Sequence, residues 1–545
     1  MTTTESKEPA KIDFSVMGRA ELEQYALDKT NRVIALEAEN SHFKELFRKN
    51  QRNAFGSSSE RYISEGQLCL FNEAEKEAET GSEEPGKSEA LPPPKKKKGK
   101  GHKKGLVAHL PKEIIEYTLT GDGLVCPRCG GELEGMGTVV RTEIEVIPET
   151  YKVVEHRSKA YSCRACDKEG TEGTIVTAPS PNGMFRNSLA SPSMAADISF
   201  KKYALAQPLY RQAQELSRKG LDINRNTLAN WVIKGALEYL MPVKEHMKGI
   251  LVKGGVVQAD ETSVQVLHEP GKAATAKSYM WAYRSGRHEE RQIILFDYSP
   301  GRAAEYPKAF LGEYKGYLLC DGYQVYRVVA QGDGAEPAGI IISACWDHAR
   351  RRWTDIIKGL AKNVTVKGTD TEKALEYIGE LYKIEEKVRG KPPEERLKYR
   401  EEYAAPIMDK YFKWLKTIRD ECTESLRAAV DYSLNLEKEL RVYLKDGRLD
   451  NSNCLCENAI RPFCVGRRNW LFSDTQNGAE ASAACYGIIE TAKANGIDPF
   501  EYLKYIFAVF KDSDIGSLNL DDFMPWSPSL PDACRKHEKK EGLAS

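Results

Sequence analysis

Four thiols and three carboxylates in this sequence have the types and spacing to do chemistry. The thiols form two CxxC pairs, Cys126-Pro-Arg-Cys129 and Cys163-Arg-Ala-Cys166, with residues 130–162 between them. Each such turn brings two sulfurs to one side. Two turns flanking a strand pair therefore build a four-thiolate tetrahedral site for Zn²⁺. Alternating stretches such as Val139–Val146 and Tyr151–Val154 supply the strands and account for a spacer longer than that of common zinc fingers. A redox role needs only one CxxC, and nothing marks an open catalytic position, so the metal is read as structural.

The first two carboxylates are Asp260 and Asp321. Asp260 ends the apolar part of Gly255–Val264, and Asp321 directly follows Gly316–Cys320. A lone strand-end acid is an ordinary solubilising turn residue. Two on neighbouring strands repel one another unless a cation lies between them. Hard oxygen ligands select Mg²⁺ or Mn²⁺, and a pair of such ions would serve an in-line phosphoryl displacement. Glu457 offers a third acid late in the chain. Its bland reading is a surface ion pair with Arg461, four residues on along a helix. Arg461, Arg467 and Arg468 beside Trp470 nevertheless make a basic, stacking-capable patch suited to a phosphate backbone.

The elements that must position these acids are legible in outline. Strands are expected at 255–264, 278–284 and 292–298, a helical stretch at 303–311, strands from 316 and over 339–345, and a helix over 347–353. Three sequential strands followed by helix, strand, helix and strand is the order of a ribonuclease-H-like α/β fold with a mixed sheet. In that fold the first and fourth strands are neighbours, which would set Asp260 beside Asp321. Residues of about 365–445, rich in Glu, Lys and Leu, read as a helical insertion before the third acid.

Upstream, residues 20–50 read as one helix with Leu22, Ala26, Val33, Leu36, Asn40, Phe43 and Phe47 on a seam. Asn40 at a core position suits a coiled coil, and a single amphipathic helix packed on its own protein is the equal alternative. The acidic run from Glu73 to Glu84, the prolines 92–94 and the lysines from Lys95 to Lys104 cannot bury enough apolar surface to fold and form a linker. Its lysines are either a solvated tether or a sequence-blind contact to DNA phosphates. Within 195–240, an apolar face that includes Leu205, Leu209, Ala213 and Leu216 ends at Gly220, a left-handed cap. Asn224 then caps a second helix. The pair has the form of a helix-turn-helix, whose second helix would offer Arg225, Asn226 and Asn230 to a major groove, although many helix pairs look like this without touching DNA.

Composition bounds the function classes. The chain has 545 residues with Lys+Arg 80 and Asp+Glu 80, 41% hydrophobic and 29% charged, which is a globular balance and not a fibrous or disordered one. No segment approaches the roughly 18 unbroken apolar residues of a membrane span. MTTTESKEPAKIDF lacks the apolar core of a secretory signal, so neither export nor membrane insertion is expected. An odd count of 13 cysteines in a long chain points to reduced thiols in a cytosolic compartment. Zero net charge is compatible with a polyanionic partner because the charges are clustered.

Taken together, QADETSVQV, GYLLCDGYQVY, ACWDHARRRW, CENAIRPFCVGRRNWLFS and ETAKANGIDPFEYL resemble the IS66 group of bacterial insertion-sequence transposases. FGSSSER, the CxxC pairs and PLYRQAQELSRKGLDINRNTLANWV fit as well, so the resemblance covers nearly the whole chain. It implies a DDE-type DNA transposase with Asp260, Asp321 and Glu457 as catalytic, metal-holding acids, Mg²⁺ or Mn²⁺ at that site, and Zn²⁺ on Cys126, Cys129, Cys163 and Cys166. The implied reaction is 3′-end cleavage followed by strand transfer. The implied partners are double-stranded DNA (terminal inverted repeats and target), further copies of the chain and small accessory proteins of the same element, in the bacterial cytoplasm at the nucleoid. One departure concerns the third acid: members usually carry Asp-Asn-Asn just before it, where this sequence has Ser452-Asn453-Cys454. That departure is the one motive for an alternative, a catalytically impaired zinc-containing DNA-binding regulator. The organisation expected is an N-terminal helix (1–54), a linker (55–105), a zinc-ribbon-like module (106–180), a helix-turn-helix region (185–250), the catalytic domain with its insertion (251–510) and a tail (511–545).

Overall fold

The computed structural model describes residues 18–19, 150–162, 175–332, 339–359 and 368–535. The expected coiled-coil helix over 20–50, the whole linker (55–105) and all four CxxC cysteines lie outside these residues. Of the described residues, 150–157 belong to one compact unit and the remainder to another. The first of these units shows no helix or strand over those residues.

The larger unit begins with a short antiparallel pair, β1 (Ala160–Ser162) and β2 (Ile175–Thr177). Helices α1 (Pro192–Tyr203), α2 (Leu209–Arg218), α3 (Arg225–Gly235) and α4 (Met241–Leu251) follow, the last two joined by a π-helical turn at Ala236–Leu240. Local chemistry sets their ends. Ser191 Oγ accepts from Met194 N at 3.1 Å just before Pro192, a residue whose missing N–H costs nothing in a first turn. Gly220 has φ of 83° after α2, and Asn224 Oδ1 accepts from Thr227 N at 2.9 Å to start α3.

The central sheet is formed by β3 (Val256–His268), β4 (Lys277–Ser285), β5 (Ile294–Ser299), β6 (Gly316–Cys320) and β7 (Ile340–Ala344) in the order β5-β4-β3-β6-β7. The first three run antiparallel as a meander, while β6 and β7 lie parallel to β3. Parallel strands need a crossover, provided by α5 (Glu305–Leu311) before β6 and α6 (Gln324–Gln331) before β7. After β7 the chain enters α7 (Trp346–Gly359).

The segment expected as an insertion is helical: α8 (Asp370–Lys387), α9 (Pro393–Tyr399), α10 (Ala405–Ile418), α11 (Glu424–Asn435) and the single turn α12 (Glu437–Leu440). Its core joins Trp346 and Trp353 of α7 to Ile378, Tyr411, Phe412, Leu440 and Tyr443, all nearly fully buried. Helix α13 (Cys454–Trp470), a short strand β8 (Ser473–Thr475), α14 (Gln476–Ala494) and α15 (Pro499–Phe510) complete the unit. Helix α14 is buried almost all round, so its sequence is Ala- and Ile-rich instead of striped. It lies on β5, where Thr491 Oγ1 accepts from Ile294 N at 2.9 Å and donates to Ile294 O at 2.7 Å, satisfying backbone at the sheet edge.

Two expectations are revised by these elements. The first strand does not end at its acids: β3 runs on to His268, and past the reach of β6 it pairs in parallel with β8 through Val266↔Ser473 and His268↔Thr475. Residues 511–535, expected as a tail, are folded. Phe523, Met524, Leu530 and Cys534 are buried, and Asp498 N donates to Cys534 O at 2.7 Å.

Candidate active site

Sheet register places the first two acids. Parallel pairing of β3 and β6 matches Val257 with Leu318 and Gln258 with Leu319. Carried two residues further, that register sets Asp260 level with Asp321 on strands about 4.8 Å apart. Residues Val256–Ala259 are buried, and burial relaxes at Asp260, where the apolar half of the strand gives way to the site. Glu261 points to the other face, as strand alternation demands. Its carboxylate accepts from Tyr326 OH at 2.6 Å and pairs with Arg302. This engagement explains why Asp260, and not its acidic neighbour, faces the site.

Glu457 comes from the first turn of α13, and a dense set of bonds positions that turn. Asn453 Nδ2 donates to Ala259 O at 3.0 Å, one residue from Asp260, instead of capping its own helix. Cys456 is fully buried, with its Sγ 3.7 Å from Gln258 O and 3.5 Å from Ala282 O. Trp346 N donates to Asn451 O at 2.9 Å, and the Ser452 hydroxyl donates to Asp347. Further back, Arg400 is fully buried and grips Glu385 through two bonds of 2.7 Å. The same guanidinium donates to Tyr443 O, Asp446 O and Leu449 O at 2.9, 3.1 and 2.8 Å. The insertion thus fixes the loop that delivers the third acid. At its far end α13 is held by Gly466, where a Cβ would collide with Trp470 and the Tyr486 hydroxyl.

The electrostatics follow from this convergence. Burial, and then the charges of Glu261, Glu457 and Asp321, push the Asp260 carboxyl well above its ordinary 3.8. Asp260 makes no ion pair among the described residues; its Oδ1 accepts only from Glu261 N, at 2.9 Å. Asp321 Oδ1 accepts from Tyr323 N at 2.8 Å, and its carbonyl accepts from Tyr432 OH of the insertion at 2.6 Å. Glu457 faces Arg351 Nη2 at 3.6 Å and His348 Nδ1 at 3.7 Å, not Arg461. Three carboxylates, Asp260, Asp321 and Glu457, are the type of donor that a hard divalent cation takes, and its charge would offset their mutual repulsion.

Comparison with known proteins gives the family. Residues 187–481 match the model described as "Transposase IS66 family", which covers more than half of the chain. The chain belongs to the IS66 transposase family. Three further models of this family match: the zinc-finger binding domain of transposase IS66 over residues 124–167, "Transposase C of IS166 homeodomain" over 42–115, and the IS66 C-terminal element over 488–526. Similar full-length relatives come from Sinorhizobium fredii (strain NBRC 101917 / NGR234). The uncharacterized protein y4qI is 29% identical over 89% of this chain and 88% of its own length. The uncharacterized protein y4jD is 26% identical over 77% of this chain and 82% of its own.

With the IS66 family established, its domains are those of a transposase, and transposase domains imply DNA binding. No described helix is long and apolar enough to cross a membrane. Arg225, Asn226 and Asn230 lie exposed on α3. Arg461 and Arg468 are exposed on α13, whereas Arg467 turns inward and donates to Thr262 Oγ1 at 3.1 Å and to Ser263 O. Trp470 packs edge-on against Tyr203 at 6.2 Å with Lys202 Nζ 4.9 Å from its ring centroid. Arg467 and Trp470, expected with Arg461 and Arg468 in one DNA-facing patch, instead hold α13 to β3 and α1, while Arg461 and Arg468 stay exposed. Sequence reasoning did not single out His348, Arg351, Asn453 or Arg400. The i, i+3 spacing of His348 and Arg351 on one helix face was the available signal for the first two.

Proposed function

We propose that this protein is the DNA transposase of an insertion sequence and works by a DDE mechanism on a ribonuclease-H-like core. The observation that carries the reading is that Asp260 lies in the field of both Asp321, level with it across β3 and β6, and Glu457 on α13, although among the described residues the three carboxylates do not all lie within 4.8 Å of one another. The strand order, an antiparallel meander continued by two parallel strands, supports the core assignment. Bound Mg²⁺ or Mn²⁺ would activate the attacking oxygen and stabilise the leaving oxygen of an in-line displacement. Asp260 and Asp321 would hold the cations from the sheet, and Glu457 would complete the site from α13. The carboxylates only hold cations, so no covalent protein–DNA intermediate forms. Water is the first nucleophile and frees a 3′ hydroxyl at the element's end; that hydroxyl then attacks the target phosphodiester.

Helices α2 and α3 act as the helix-turn-helix, presenting Arg225, Asn226 and Asn230 to the terminal repeats. Cys126, Cys129, Cys163 and Cys166 would hold Zn²⁺, in the stretch that matches the zinc-finger model of the family. Arg461 and Arg468, with Arg467 behind them, meet the backbone near the acids. Further copies of the chain and small accessory proteins of the element join the complex at the bacterial nucleoid.

The test is nicking and joining of DNA that carries the element's ends. Mg²⁺-dependent nicking and joining by the native chain, lost in Asp260→Asn, is the expected result. Unchanged nicking in that variant refutes the triad, and nicking without joining indicates a nuclease. Specific DNA binding without any cleavage by the native chain leaves the regulator.

A further inference from the structure

Beside the acids lies a second constellation of different chemistry. Cys345 follows β7, His348 is on the first turn of α7, and Glu457 reaches toward them from α13. One ligand atom of each lies within 4.8 Å of the others. His348 Nδ1 and Glu457 Oε1 face each other across 3.7 Å. Both atoms are buried, and neither has a hydrogen-bond partner. Buried polar atoms are normally paired, so two orphans aimed at one another mark a place for a third party.

The thiol completes the set. Cys345 is fully buried, its sulfur accepts from Asn453 N at 3.2 Å and lies 3.9 Å from Ser452 Oγ, and burial beside Asp347 and Glu457 keeps it a thiol until a cation enters. Asp347, the adjacent carboxylate, is already engaged by the Tyr382 and Ser452 hydroxyls. That leaves one sulfur, one imidazole nitrogen and one carboxylate oxygen, with a fourth position open. Such a mixed soft and borderline set selects Zn²⁺ or Co²⁺ over Mg²⁺. Bonds of about 2.0–2.3 Å put tetrahedral ligand atoms roughly 3.5 Å apart, close to the nitrogen–oxygen separation already present. Ligation through Nδ1 places the ring proton on Nε2 and turns Arg351, whose Nη1 is 3.4 Å from that atom, toward Glu457.

We propose that Cys345, His348 and Glu457 form a binding site for a thiophilic divalent cation of the Zn²⁺ class, separate from the CxxC module, and that filling it draws Glu457 away from Asp260 and Asp321. The thiol proton leaves to solvent as the cation enters. Only the consequence for the acids rests on the DDE reading; the binding itself does not.

The test is a Co²⁺ titration of the zinc-loaded full chain, followed by thiolate-to-cobalt absorption. One added equivalent with a single-thiolate band is expected. That band disappears in Cys345→Ser, binding weakens at least tenfold in His348→Ala, and excess Mg²⁺ weakens Co²⁺ binding severalfold by competing for Glu457. Absence of the band in the native chain overturns the proposal, whether or not a variant folds. A band of full intensity in Cys345→Ser overturns it as well. Asp260→Asn keeps the two readings apart: the band persists there even if DNA cleavage shows that the triad was misassigned.

Discussion

The two strand-borne acids and the helix-borne acid reach the same site by different physical means. Asp260 and Asp321 are set by backbone pairing between β3 and β6, so their separation is fixed wherever the sheet forms. Glu457 depends on long-range side-chain bonds: Asn453 to Ala259, the Ser452 hydroxyl to Asp347, and Arg400 to the carbonyls of the approaching loop. The sheet makes one half of the site as stable as the fold. The insertion makes the other half conditional on a network that single substitutions can cut.

Several substitutions would break or sharpen this contrast. The largest effect is expected from Asp260→Asn or Asp321→Asn. Each should lower end cleavage by more than about 100-fold, beyond what losing an outer partner of a metal ligand costs, with the fold intact by circular dichroism. Next, Arg400→Ala takes the nearer of two guanidinium partners from the largely buried Glu385, leaving only Arg396 at 3.3 Å, and removes the bonds to the Tyr443, Asp446 and Leu449 carbonyls. It should destabilise the chain by about 3–5 kcal/mol in urea unfolding, and residual activity should fall through displacement of Glu457. Asn453→Ala, which removes one buried bond, should cost about 1–2 kcal/mol. It should also lower kcat more than KM, because it detaches α13 from Asp260 without touching DNA.

The smallest effect is a pH dependence confined to the strand side. The folded-state pKa of Asp260 lies above its ordinary 3.8, so the folded chain holds this proton more tightly than the unfolded one. The stabilisation is complete below the unfolded value and is lost as pH rises through the folded value. Melting of the cation-free protein should therefore fall with rising pH across that window. Asp260→Asn should flatten the trend, and Mg²⁺ should reverse it at neutral pH. A metal-free melting temperature independent of Asp260 would remove the electrostatic basis of the site.

How much of this was legible in the sequence follows the same division. The strand order, the positions of Asp260 and Asp321 along β3 and just past β6, the Gly220 cap and the Asn224 cap depend on local pattern and were readable from it. The contacts of Glu457 were not, because they depend on which helix faces packing brings together. WDHARRRW reads as one amphipathic helix, and nothing in its spacing says that His348 and Arg351 turn toward residue 457. Trp470 looked available for stacking because its partner Tyr203 is far away in the chain. The continuation of β3 to His268 was hidden for the same reason, since β8 lies about two hundred residues downstream.

Gly466 has a consequence for control of the reaction. A methyl group here would strike the Tyr486 hydroxyl of α14 as well as Trp470 in the last turn of α13 itself, so the bare glycine is what lets the two helices lie this close. The other end of α13 is tethered through Asn453. The helix that carries Glu457 is thus seated at both ends, on α14 through Gly466 and on β3 through Asn453, and with those contacts kept the carboxylate moves by rotation of its own side chain.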